Sequence, residues 1–131
     1  MVRALAHDRL DKRNRLRAIR DRDGNRCFWC HTAFAECAPA PTTEHLVPRL
    51  KGGPSWIENE VAACAVCNRK RGHMGLGAWV VQCQQRGWPA EPAAVLERLT
   101  DLQSAIKRRG GQRRARAYIA SQRRRLQRML R

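Results

Sequence analysis

The sequence predicts an α+β fold in which a small β-hairpin and the helix after it are flanked by further helices. Two observations support this prediction. The pairs Cys27/Cys30 and Cys64/Cys67 enclose two short strand-like runs that are separated by a Gly-Gly-Pro turn. After residue 73, apolar residues recur at helical spacing. The length of 131 residues suits one domain with a modest core.

The first 26 residues are predicted to form a basic N-terminal flank. They carry nine Lys or Arg and four Asp or Glu, a net charge of +5. A charged helix is predicted from Asp8 to Arg22, and Asp23-Gly24 ends it. Apolar positions in this helix are sparse, so we expect it to pack only lightly against the rest of the fold.

The central segment is predicted to hold two strands and a helix. The first strand runs over 42–47 and is closed by Pro48, because proline cannot continue a strand ladder. A loop with turn residues covers 50–54, and 59–63 is the returning strand. Residues 64–71 then form a second cysteine turn that runs into a short helix.

Three more helices are predicted in the C-terminal part. Gly87-Trp88-Pro89 ends the first, Pro92 begins the second, and Gly110-Gly111 separates the second from the third. Each carries one apolar stripe, which indicates contact with a core or a partner rather than a cofactor site. The stripes are Leu76, Trp79, Val80 and Cys83; Val95, Leu96, Leu99, Leu102 and Ile106; and Ala115, Tyr118, Ile119, Leu126 and Met129. The narrow third stripe leaves a monomer and a homodimer both open.

The net charge of +16 lies at the two ends of the chain. Residues 27–106 carry seven charges of each sign, whereas residues 107–131 carry eleven Lys or Arg and no acid. Such segments suit a nucleic acid, because each neutralised phosphate releases condensed counterions. There are three alternatives to nucleic-acid binding: a solvated tail, an acidic membrane surface, or the Arg-rich composition of a GC-rich genome. Without a signal-peptide pattern or an apolar run of about 20 residues, we expect a cytoplasmic protein.

Four of the six cysteines form the strongest motif. Inside cells, paired cysteines favour a metal over disulfides. Two Cys-x-x-Cys turns aim four thiolates at one point with no open position, which is typical of structural zinc. Zinc on Cys27, Cys30, Cys64 and Cys67 would hold both ends of the 33-residue segment between the pairs. Cys83 lies on an apolar stripe and is expected to be buried; no role is predicted for Cys37.

An acid, a base and two amides lie between and beside these cysteines. Glu44 and Asn68 offer the oxygen ligands that a hard divalent ion prefers, with water and phosphate oxygens completing its shell. His45 offers an imidazole that can accept a proton from water near neutral pH. Asn59, 14 residues after His45, can approach it across a hairpin. The pattern therefore predicts a hydrolytic site separate from the zinc.

The order and spacing of these residues resemble those of the HNH endonucleases, which are also called the ββα-metal or His-Me finger family. The resemblance is to the zinc-knuckle subgroup, with the pattern C-x-x-C, D-H-x-x-P, G-G, N and C-x-x-C-N-x-x-K-G. It covers residues 21–73. The matching residues are Cys27–Cys30, Glu44-His45-Leu46-Val47-Pro48, Gly52-Gly53, Asn59 and Cys64-Ala65-Val66-Cys67-Asn68-Arg69-Lys70-Arg71-Gly72.

The resemblance implies a ββα-metal core that hydrolyses phosphodiester bonds in DNA and leaves 5′-phosphate and 3′-hydroxyl ends. It makes His45 the general base, Glu44 and Asn68 ligands of the catalytic ion, and Asn59 the residue that braces the hairpin and orients the base. Mg²⁺ or Mn²⁺ is the expected ion, with Ni²⁺ or Zn²⁺ as alternatives. His73 is a candidate for a further metal ligand or for a contact to phosphate. The alternative is that it lies at the end of a helix and hydrogen-bonds the last carbonyls.

Three positions depart from the family pattern. Glu44 stands where the family usually has Asp, and its longer side chain shifts the ion and could lower activity. Asn68 replaces a signature His, a change that this subgroup often shows. Arg71 replaces the usual Lys.

Basic residues flank the motif and recur in the tail, and we expect them to hold DNA phosphates without reading sequence. They are Arg49, Lys51, Arg69, Lys70, Arg71, Arg113 and Arg114. The predicted segments are 1–26, 27–73 and 74–131, with a basic tail at 107–131. A non-catalytic zinc module that binds DNA or RNA is the second hypothesis. A ribosome- or RNA-associated structural protein is the third.

Overall fold

The structure, a computed structural model, describes residues 10–37 and 40–131. The expectations for residues 1–9, including a helix start at Asp8, lie outside these ranges. None of the helices within them is both long enough and apolar enough to cross a bilayer. The elements are α1 Lys12–Asp23, β1 Thr42–His45, β2 Glu60–Ala63, α2 Ala65–Arg71, α3 Leu76–Gln85, α4 Pro92–Arg109 and α5 Arg113–Met129, with short 3₁₀ turns at Phe34–Glu36, Arg49–Lys51 and Ile57–Asn59.

The predicted α+β fold is confirmed: one two-stranded antiparallel sheet is followed by α2 and flanked by helices. In its register Thr42 lies opposite Ala63 and His45 lies opposite Glu60. The first strand was predicted to reach Val47, but it ends at His45. The backbone N–H and C=O of Val47 bond the side chain of Asn59 instead of a neighbouring strand.

The Gly-Gly-Pro turn between the strands depends on both glycines. Gly52 has a φ of 86°, in the left-handed region that favours glycine. A Cβ on Gly53 would lie 1.7 Å from the carbonyl oxygen of Val47, which no side chain can tolerate. The Gly53 N–H also donates to the Pro48 carbonyl at 3.0 Å. The turn is therefore held tightly against the end of β1.

Local signals fix the ends of the flanking helices. The Asp11 side chain caps α1 by accepting the Asn14 N–H at 2.8 Å, and Gly24 ends that helix. Cys64 caps α2, because its sulfur accepts the Cys67 N–H at 3.5 Å. Pro92 opens α4, where its missing N–H costs no helical hydrogen bond.

The last helix packs against the rest of the protein along its apolar stripe. Ala115, Ile119 and Leu126 are fully buried, and they belong to one hydrophobic cluster that also contains Ile19 of α1. The Tyr118 hydroxyl accepts the Leu76 N–H at 3.0 Å. The stripe thus covers α3 and α4 of its own chain, so the basic tail is an integral helix and not a loose arm.

Candidate functional site

The four predicted zinc cysteines come together. Their sulfur atoms all lie within 4.8 Å of one another, and those of Cys30 and Cys64 are 3.9 Å apart. Four thiolates at this spacing fit one tetrahedral Zn²⁺. Cys83 is fully buried, as predicted. Cys37 is half-buried and its thiol donates to the Ala33 carbonyl at 3.5 Å, outside the cluster.

The first cysteine turn joins this cluster to the hairpin. Phe28 donates its N–H to the Ala62 carbonyl of β2 at 3.0 Å, which extends the hydrogen bonding beyond the two strands. Trp29 is fully buried and packs edge-on against Trp79 of α3, with ring centroids 6.1 Å apart. A metal in the cluster would therefore fix the hairpin, α2 and α3 relative to one another.

His45 is half-buried at the end of β1, and its imidazole is held in place. Its Nε2 shares a hydrogen bond with the Ser55 hydroxyl at 3.0 Å, and Ser55 also accepts from Arg49 at 3.2 Å. Burial is the main reason that the pKa of His45 lies below its usual value. Nearby cations add to this lowering, whereas the Glu60 carboxylate opposes it. A largely neutral imidazole at neutral pH is the form that can accept a proton.

Glu44 leaves β1 on the opposite face, because successive residues of a strand point to opposite sides. It is 6% exposed. The indole N–H of Trp29 donates to its Oε2, and an Arg71 nitrogen lies 3.7 Å from its Oε1. Burial raises the pKa of Glu44 to about 7, with Arg71 and Trp29 acting against that rise. The acid and the base predicted to share a site therefore have different side-chain neighbours.

Arg71, which the sequence predicted to contact DNA phosphates, is turned into the protein. The residue is 3% exposed, and its guanidinium donates to the carbonyls of His45 and Leu46 at 2.8 and 2.9 Å. A third donor reaches the Met74 carbonyl at 3.2 Å. Arg71 therefore ties α2 to the end of β1 from inside the protein, and it has no free face toward a substrate.

Asn59 is fully buried, and its side chain forms hydrogen bonds with the hairpin backbone. Its side chain accepts the Val47 N–H at 2.9 Å and donates to the Val47 and Pro54 carbonyls at 3.1 and 2.9 Å. These bonds brace the loop that carries Ser55 against the end of β1, where His45 lies. They suit the bracing role that the sequence predicted for Asn59.

The donors predicted for a second ion have the right chemistry, but the protein itself already engages Glu44. Glu44 and Asn68 offer the oxygens that Mg²⁺ and Mn²⁺ prefer. However, both Glu44 oxygens already face Trp29 and Arg71, which would compete with an ion. His73 is exposed and, within the described ranges, forms no metal-sized cluster with Glu44 and His45.

A groove of about 660 Å³ lies next to this site, between the Gly-Gly-Pro turn and α5. The described residues of its lining are basic, apolar or uncharged polar, with no acid among them: Pro48, Leu50, Lys51, His73, Gly75, Arg114, Ala117, Tyr118, Ser121 and Gln122. Leu50 is 64% exposed, and its carbonyl accepts a hydrogen bond from Arg114. The other predicted DNA-binding cations outside the groove lining, Arg49, Arg69, Lys70 and Arg113, are exposed.

Sequence reasoning missed several residues that surround the site. Trp29 and Ser55 supply partners for Glu44 and His45, and nothing in their local sequence signals this. Glu60 is fully buried at the start of β2 and pairs with Arg15 of α1 at 2.6 Å. The position of Glu60 could have indicated this, because a Glu at the start of an otherwise apolar strand is expected to be buried and to have a charged partner.

Comparison with known proteins identifies the central segment. Residues 27–74 match the family model of the HNH endonucleases, which confirms the resemblance seen in the sequence. No curated protein and no solved structure matches the chain. The matched segment contains the four cysteines, the hairpin and α2.

Proposed function

We propose that this protein, whose residues 27–74 form an HNH domain, is a metal-dependent DNA endonuclease. The observation that carries the proposal is the half-buried imidazole of His45, held by Ser55 within that domain. A neutral imidazole fixed at the end of a braced strand is suited to act as a general base. The cations around it suit a substrate that carries phosphates.

The proposed reaction is hydrolysis of one phosphodiester bond. His45 accepts a proton from water, the resulting hydroxide attacks phosphorus, and the bond to the 3′ oxygen breaks. The products are a 5′-phosphate and a 3′-hydroxyl, whose proton comes from solvent. Mg²⁺ or Mn²⁺ bound through Glu44 and Asn68 would neutralise charge on the phosphate and the leaving oxygen.

The remaining residues are proposed to hold structure and substrate. Zn²⁺ on the four cysteines stabilises the core, and 27–73 acts as the catalytic segment between the flanks 1–26 and 74–131. Arg49, Lys51 and Arg114 line or border the groove and are proposed to contact DNA phosphates. The described lining of the groove contains no acid, and this supports a polyanionic occupant.

One observation favours a second candidate function, a zinc module that binds nucleic acid without cutting it. Glu44 is buried against Arg71 and Trp29, so the ligand expected to hold the catalytic ion is occupied by the protein itself. If that arrangement persists when nucleic acid binds, the cations would still bind phosphates but no ion would assist hydrolysis. The two functions differ in one measurable property, which is cleavage.

Nicking of supercoiled plasmid DNA tests the proposal. The zinc-loaded protein is incubated with plasmid in Mg²⁺, Mn²⁺, Ni²⁺ or Zn²⁺, and the relaxed and linear forms are measured. We expect cleavage in at least one ion and none with His45→Ala, which should retain zinc and bind DNA. An intact plasmid in all four ions, with DNA bound, would establish the non-catalytic module instead.

A further inference from the structure

His45 and Glu60 form a closely spaced cross-strand pair. The Leu46 N–H donates to the Asn59 carbonyl at 2.8 Å, which makes Leu46 and Asn59 a hydrogen-bonded pair of the ladder. In an antiparallel ladder hydrogen-bonded and non-hydrogen-bonded pairs alternate, so His45 and Glu60 form the next, non-hydrogen-bonded pair. The side chains of such a pair lie on one face, with Cβ atoms about 4.5 Å apart.

Glu60 is held firmly and has one oxygen to spare. Its side chain is fully buried, and its Oε1 accepts from Arg15 Nε at 2.6 Å. Its Oε2 is buried and, among the described residues, has no hydrogen-bond partner. Its backbone carbonyl is fixed in turn by Arg22 at 2.8 Å. Because a buried oxygen without a partner is costly, this arrangement indicates a use beyond packing.

The imidazole of His45 offers a nitrogen to match that oxygen. Ser55 engages Nε2, and no partner for Nδ1 is found among the residues that the structure describes. We propose that the Glu60 carboxylate, anchored by Arg15, accepts a hydrogen bond from Nδ1–H of His45 and so fixes the ring tautomer. Nε2 is then the basic nitrogen, and the Ser55 hydroxyl stands where the attacking water is to be deprotonated. Glu60 is a positioning residue, because it acts through His45.

The position of the ring proton decides which nitrogen of His45 can act as the base. A neutral imidazole carries one proton, and a carboxylate at Nδ1 keeps that proton there, so the lone pair of Nε2 faces the water. The consequence for catalysis rests on the proposed function; the state of the ring does not. The two claims can therefore fail separately.

The test reads the His45 tautomer directly. ¹⁵N chemical shifts of the imidazoles are recorded at a pH where the ring is neutral, and the His45 signals are assigned by their loss in His45→Ala. We expect the Nδ1–H form in the wild type and a shift toward Nε2–H in Glu60→Gln, because an amide can donate as well as accept. Glu97→Gln, on the exposed face of α4, is the matched control and should leave the signals unchanged.

Kinetics supply the second measurement. With plasmid cleavage as the assay, Glu60→Gln should lower kcat by about 10- to 100-fold and leave KM for DNA unchanged. Glu60→Asp, which keeps the carboxylate, should restore part of the loss. If Glu60→Gln does not fold, Glu60→Asp and Arg15→Gln are measured by the same ¹⁵N signals, and both should show a mixture of tautomers.

The proposal is overturned if wild-type His45 is mainly the Nε2–H tautomer, or if its tautomer is the same in folded Glu60 variants. A protein that shows the expected tautomer shift but leaves DNA uncut would refute the nuclease function and retain the Glu60–His45 contact. A protein that cuts DNA at an unchanged kcat in Glu60→Gln would retain the nuclease and refute the positioning role.

Discussion

The two faces of β1 differ in what their charged side chains contact. On one face, Glu44 is enclosed by Trp29 and Arg71 and is 6% exposed. On the other, His45 is half-buried, bonded to Ser55 and opposite Glu60. One face therefore ties the strand to α2 and the zinc-binding turns, while the other carries a half-buried, titratable ring, which we propose faces the substrate.

This difference shows that two residues can be consecutive in the sequence while their side chains lie in different surroundings. Glu44 and His45 are consecutive, yet a strand sends their side chains to opposite sides. We therefore expect substitution of Arg71, on the Glu44 face, to change folding, and substitution of His45 to change activity with little effect on folding. The predictions below test this separation, beginning with the zinc cluster that supports the Glu44 face.

Removing zinc should have the largest effect. Structural zinc contributes on the order of 10–16 kcal/mol in small domains, and the cluster here joins the turn that carries Trp29 to the start of α2. Chelation, or Cys64→Ser, should abolish the near-ultraviolet circular dichroism of the tryptophans and the cooperative unfolding transition. A zinc-free protein that unfolds with the wild-type midpoint would exclude a structural role for the metal.

Replacing Arg71 should destabilise the protein by about 3–5 kcal/mol, the range found when one partner of a buried charge pair is removed. Arg71→Met leaves Glu44 without its cation and the His45 and Leu46 carbonyls without their donors. The matched control is Arg69→Met, on the exposed face of the same helix, which should change stability by less than about 0.5 kcal/mol.

Urea unfolding measures both variants, and His45→Ala completes the comparison. It should cost about 1 kcal/mol or less, because the ring is only half-buried and the Ser55 hydroxyl that it contacts is an uncharged partner. Equal destabilisation by His45→Ala and Arg71→Met would mean that the two faces are not functionally separate.

A charge placed in the groove should give the smallest effect. Ser121 lines the groove on α5, whereas Ser104 is exposed on α4 outside it, so glutamate at either position changes the net charge equally. If DNA phosphates lie in the groove, Ser121→Glu should lower the slope of log affinity against log salt by about 1. Ser104→Glu should leave the slope unchanged. Equal slopes for the two variants would place DNA elsewhere.

Much of the fold followed from local patterns. Each of these patterns spans only a short stretch of sequence: the two cysteine pairs, the glycine turn and the three apolar stripes. The structure has the cysteine cluster and the helices that they predicted. The separation of the Glu44 and His45 side chains could also be predicted from the sequence, since successive side chains of a strand point to opposite faces. It was missed because the family motif was treated as one group of converging residues.

Other features could not be read from sequence. The burial of Arg71 depends on contacts with the end of β1 and with Tyr118 of α5, 47 residues away, at 3.5 Å. Likewise, the pairing of Glu60 with Arg15 joins residues 45 positions apart. Neither contact has a local signature, because the spacing of charges along a chain does not determine which of them meet in the fold.

Rescue by manganese tests most directly the claim that the base and the ion ligand are separate parts of one site. Plasmid cleavage is followed at rising Mn²⁺ for Glu44→Ala, Asn68→Ala and His45→Ala, each shown to be folded and zinc-loaded. We expect Mn²⁺ to restore cleavage partly in the first two, because mass action compensates for a lost ligand. His45→Ala should stay inactive at every concentration, because an ion cannot replace a missing base. Cleavage by His45→Ala at the wild-type rate, or its rescue by Mn²⁺, would contradict the account.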